Sequence, residues 1–92
     1  MVFEKYIQVE KEYIPRRCCT DILLKKLRAV GIKTTGYDRD MEPILKDKGF
    51  GLPIQEEEYW HFMVNHKYQR YCLNYSDALA EELLFLNQLN LL

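Results

Sequence analysis

The sequence predicts an α+β domain: a small mixed or antiparallel sheet of about four short strands, covered on one face by two helices, in the order β-α-β-(short α)-β-β-α. Three observations carry this. Apolar residues recur at helical spacing from Ser76 to Leu92, and again from Thr20 to Val30. Between them, Tyr59–Tyr75 is dense in aromatic residues, which suit a half-buried pleated surface. A helical Tyr59–Tyr75 would instead give a mostly α-helical bundle.

The chain has 92 residues, the size of one domain, taken as 1–92. Its hydrophobic content of 48% supports a packed core, and with a net charge of −1 it lacks the low hydrophobicity and high charge of a disordered chain. That near-neutral balance also supplies no bulk attraction to nucleic acid or an anionic membrane. No apolar run is long enough to span a bilayer, and Glu4 and Lys5 interrupt the start where a signal peptide would be apolar. The cysteines are Cys18, Cys19 and Cys72, an odd number with two adjacent. This is no secreted disulfide framework, so reduced thiols and a cytoplasmic location are expected.

In chain order, Phe3–Val9 alternates loosely and is expected to be a strand. Pro15 then enforces extended backbone at Ile14. A helix follows with its core from Thr20 to Val30: Thr20 can cap it, Cys19, Leu23, Leu27 and Val30 form one apolar line, Ile22 and Ala29 widen that line, and Gly31 suits a left-handed stop. Ile32–Tyr37 reads as a short strand. Asp38 or Asp40 can cap a short helix through Leu45 that stops at Gly49. Phe50–Pro53 is a loop and Gln55–Glu58 a solvated acidic stretch. Tyr59–Tyr75 reads as a hairpin turning near Asn65–Lys67. Ser76 is placed as the N-cap of the last helix. In that helix Leu79, Leu83 and Leu86 form one apolar line, Ala78, Phe85, Leu89 and Leu92 a second, and Leu84 and Leu91 a third.

No catalytic constellation stands out, and no enzyme activity or cofactor is expected. Cys18, Cys19, Cys72, His61 and His66 lack the paired spacing of structural zinc. Asp38, Asp40 and Glu42 are spaced two apart as in a calcium loop, but the distal glycine and glutamate are missing. Gly49-Phe50-Gly51 lacks the lysine and hydroxyl of a phosphate loop.

Two surfaces remain. The third apolar line exceeds what one sheet face needs, which points to docking on another protein or on a second copy through Leu84, Phe85, Leu91 and Leu92, with Lys26. The expected function is a small intracellular protein-binding module (a regulator, adaptor or inhibitor), self-associating as a homodimer through the C-terminal helix. The alternative is nucleic-acid binding by Arg17, Lys25 and Arg28 with the hairpin residues Lys67 and Arg70, where cations interleave with aromatics. The helix, hairpin, helix order resembles that of a double-stranded-RNA-binding domain. That family carries lysines at the start of its last helix, where this chain has Asp77, Glu81 and Glu82, which would repel phosphate.

Overall fold

A computed structural model describes residues 18–92. The strand expected near Phe3–Val9 and the cation Arg17 lie outside the described residues. Within them the chain forms α1 (Asp21–Ala29), α2 (Asp38–Asp47), β1 (Ile54–Glu56), β2 (Tyr59–Val64), β3 (Tyr68–Cys72) and α3 (Tyr75–Gln88). The class is α+β, with a three-stranded antiparallel sheet in the order β1-β2-β3.

Each helix has a local cause. Thr20 caps α1 as expected, its side chain accepting from Leu23 N–H. All three helices then end in the same way, with one residue in the left-handed region. These residues are Gly31 (φ 85°), Gly49 (φ 82°) and Asn90 (φ 59°). In each case the amide beyond it returns to a carbonyl of the last turn: Ile32 to Leu27, Phe50 to Leu45 and Leu91 to Leu86. A second bond, from Gly31 to Arg28, Gly49 to Lys46 and Asn90 to Asn87, completes the closure and satisfies carbonyls that a helix end would otherwise leave unpaired.

Several expectations are corrected. Ile32–Tyr37 is an irregular connector, not a strand: Gly36 has positive φ (91°), and the segment's polar groups are met outside any sheet. Thr34 Oγ1 accepts from Gly36 N–H (2.9 Å), and Gly36 C=O accepts from Cys19 N–H (2.8 Å). The N-cap of α2 is Tyr37, with no side-chain bond, rather than Asp38 or Asp40. Asp40 reaches back to Thr35, accepting from its hydroxyl and its amide, and these bonds hold its carboxyl below the ordinary range. The start of the acidic stretch is β1, an exposed edge strand paired with β2 (Gln55 opposite Trp60). Asn74, not Ser76, caps α3, accepting from Asp77 N–H (2.8 Å). That helix stops at Gln88, so Leu91 and Leu92 lie beyond it.

The expected hairpin is present. Asn65 and His66 both have positive φ (58° and 56°), the backbone of a type I′ turn, closed by Lys67 N–H on Val64 C=O. Alternation along the strands then decides which side chains meet α3. The Phe85 ring lies 5.8 Å from Phe62 and 5.8 Å from Tyr68, and Trp60 meets Tyr75 at 4.7 Å.

Two helices were expected on the sheet, but α3 lies there and α1 and α2 pack against α3. Three strands span only about 10–15 Å, room for one helix of about 10 Å diameter. The last helix is therefore a middle layer, which accounts for much of its apolar surplus: Ala78, Leu79, Ala80, Leu83 and Leu86 are fully buried against the sheet or against Leu23, Leu27, Met41 and Leu45. Of the residues expected to widen α1's apolar line, Ile22 and Ala29 face solvent.

Two side-chain clasps set the helix directions. Asp77 of α3 accepts from Thr20 N–H (2.8 Å) at the start of α1 and from Asn74 Nδ2 (2.9 Å). Ser76 donates its hydroxyl to Asp38 at the start of α2. The three N-termini thus converge, each beside a carboxylate, the charge their dipoles favour. Near them Tyr75 O–H donates to Glu42 (2.6 Å).

Candidate functional site

With their starts clasped, α1 and α3 run side by side in the same direction. Beside their C-terminal halves lies an open cleft of about 500 Å³. Lys26 and Ala29 of α1 and its C-cap Val30 line one side; Glu81, Leu84, Phe85 and Gln88 of α3 line the other, and Arg70 of β3 closes the end. Leu84 and Phe85 are half-buried, while Val30 is exposed. The Arg70 guanidinium lies over the Phe85 ring at 5.2 Å and makes a loose ion pair with Glu81 (3.8 Å). The cleft therefore offers an apolar floor with two cations at its rim, one already leaning on a carboxylate.

Three of the five residues expected at a protein interface, Lys26, Leu84 and Phe85, meet here. Leu91 is exposed and Leu92 half-buried beyond the helix end, and neither lines the cleft. The nucleic-acid set is not brought together. Lys25 and Arg28 are exposed on α1, and Lys67 sits at the hairpin turn with its Nζ 6.0 Å from the Tyr68 ring. Arg70 stands opposite Phe62, on the α3 side of the sheet. Because side chains alternate, Tyr71 points to the other face, so the cations and the most exposed aromatic ring of the hairpin lie on opposite sides.

Sequence reasoning missed that other face. The register places Ile54 and Glu56 of β1, Tyr59, His61 and Met63 of β2, and Gln69 and Tyr71 of β3 together, away from α3. His61 lies flat against Tyr71 (4.4 Å between rings) between Glu56 (3.2 Å) and Gln69 (2.8 Å). The signal was present in the alternation of β2, but alternation alone does not tell which face is covered.

Two of the three thiols, Cys19 and Cys72, are held protonated by their surroundings. Burial pushes Cys19 and Cys72 up to about 11, with Asp77 and Glu81 respectively adding to the effect. Cys18 hydrogen-bonds the Tyr37 hydroxyl, which raises that phenol's pKa. Among the described residues no three of His, Cys, Asp and Glu converge as a metal site would require, and no helix is long and apolar enough to cross a membrane. No family model, curated relative or solved structure matches the chain.

Proposed function

We propose that the chain is a protein-docking module. Its α1–α3 cleft takes an apolar side chain or short helix of a partner protein, with Lys26 and Arg70 at its rim. One observation carries this: Val30, Leu84 and Phe85 line one cleft, where Val30 is exposed and Leu84 and Phe85 are only half-buried. Contiguous apolar surface framed by polar residues is the usual mark of an interface. A regulator, adaptor or inhibitor would work through such a surface without reacting groups. Homodimerisation at this end of α3 is one form of the same proposal.

A photo-crosslinking residue at Gln88, on the cleft wall, tests it against the same residue at Asp47, which lies outside the cleft. The expected result is a discrete protein adduct from position 88 only, lost in Leu84→Lys. Equal labelling from both positions, or an adduct indifferent to Leu84→Lys, would refute docking in the cleft. Sedimentation separates a second copy from another protein as the partner. Titration with short DNA and RNA at two salt concentrations tests the alternative, which requires affinity that falls steeply with salt.

A further inference from the structure

On the far side of the sheet from the cleft, one surface carries four of the exposed large apolar residues: Ile54 (66% exposed), Tyr71 (53%), Met63 (47%) and Tyr59 (37%). The Tyr59 and Tyr71 rings meet edge to face at 6.3 Å, and His61 stacks beneath Tyr71. These contacts hold the rings in place, so a ligand laid on them loses little of its binding energy to ordering the surface.

Among the described residues, the charges around this surface are of one sign. Glu56 lies on it, and Glu57 and Glu58 form the turn between β1 and β2 at its end. The two cations of the β2–β3 hairpin are turned away, Arg70 to Phe85 and Lys67 to Tyr68, both on the α3 side. Polyanions are therefore disfavoured here, and an anionic lipid surface with them. Exposed π faces beside carboxylates instead suit cations carried on apolar stems. A guanidinium or ammonium can stack on a tyrosine ring and pair with a glutamate while its methylenes lie along Met63 and Ile54.

We propose that this face is a second docking site, independent of the cleft, and that it binds a basic segment of a partner protein in which Arg or Lys alternates with apolar residues. Tyr71 and Tyr59 stack the cations, Glu56, Glu57 and Glu58 pair with them, and Ile54 and Met63 receive the apolar side chains.

The test is fluorescence anisotropy of the full chain with a labelled peptide of alternating Arg and Leu, and with its Glu–Leu counterpart. The basic peptide binds and the acidic one does not. Tyr71→Ala and the double variant Glu57→Gln/Glu58→Gln each weaken binding by about tenfold, and the double variant also flattens the salt dependence. Asp47→Asn, an exposed acid elsewhere, and Leu84→Lys in the cleft leave binding unchanged, which separates this site from the cleft. Circular dichroism confirms that each variant is folded. Binding that is absent at millimolar peptide, or indifferent to Tyr71→Ala, overturns the proposal. So does a dimer that Tyr71→Ala dissolves in the absence of peptide, since the face would then belong to a second copy.

Discussion

Glu82 is a buried acid in the described core. It lies in the middle of α3 and is only 3% exposed, and its Oε1 has no hydrogen-bond partner among the described residues. Its neighbours one turn away along the helix are Ala78, Leu79, Phe85 and Leu86, all apolar. Desolvation raises its pKa to about 7 from an ordinary 4.5. Each pKa unit is worth about 1.4 kcal/mol, so a fully ionised Glu82 costs the folded state about 3 kcal/mol. Native stabilities run to about 5–15 kcal/mol, so this is a substantial fraction.

The direction of the pH dependence follows. Between about pH 4.5 and 7 the native state holds a proton that the unfolded chain has released, so stability falls as pH rises through that window. From pH 5 to pH 8 the loss comes to about 2–3 kcal/mol. Glu82→Gln keeps the shape and removes the titration. Urea unfolding of both proteins at the two pH values measures the effect: wild type should be the less stable at the higher pH, and the variant should lose that slope. Glu82→Leu should also raise stability at the higher pH, because it removes the unpaired oxygen as well. Equal pH slopes in wild type and Glu82→Gln would refute the reasoning.

Three further predictions rest on backbone and thiol geometry. His66→Gly relieves a left-handed residue in the type I′ turn and should stabilise the domain by up to about 1 kcal/mol, read as a higher urea midpoint. Gly36→Ala should cost about 1–3 kcal/mol and exceed Gly31→Ala in the same assay. Both residues have positive φ, but a Cβ at Gly36 would stand 3.2 Å from Cys19 Sγ and 3.3 Å from Leu24 Cδ1, whereas at Gly31 it meets open space. Cys19 and Cys72, with thiols raised to about 11, should resist iodoacetamide at pH 8 in the native protein and react once it is unfolded, as peptide mass spectrometry would show.

What the sequence made legible were features that act locally. Thr20 and Gly31 bound α1 because a hydroxyl cap and a left-handed glycine work through neighbouring backbone. Gly49 marked the end of α2 in the same way. Asn90 does the same for α3 but carries no such signal in the sequence, since asparagine is equally at home on a helix surface. β1 was hidden because an exposed edge strand needs no apolar alternation, only the backbone of β2 beside it. Ser76 misled because a serine two residues past an asparagine offers the same cap chemistry, and only the fold gave its hydroxyl to Asp38. The cleft was partly visible, in Lys26, Leu84 and Phe85, since helical spacing already separates Leu84 from the buried line. The outer sheet face was not, because which face a helix covers is decided by tertiary packing.

The placement of α3 between sheet and helices also sets the electrostatics of the two surfaces apart. Clasping the N-termini of α1 and α3 together sends both negative helix ends toward the cleft, each worth about half a charge. With Glu81 beside Arg70, these offset Lys26 and Arg70 almost entirely. Attraction in the cleft therefore comes from Val30, Leu84 and Phe85, and binding there should change little with salt. Among the described residues the sheet face has no such cancellation, because strand dipoles alternate and sum to little. Its three glutamates lie within a few residues of one another, inside a Debye length of about 8 Å at physiological salt. A partner approaching that face should be steered by charge, with an association rate that falls as salt rises, while the cleft partner's should not. Measuring association rates at two ionic strengths thus assigns a newly found ligand to one surface or the other before any residue is changed.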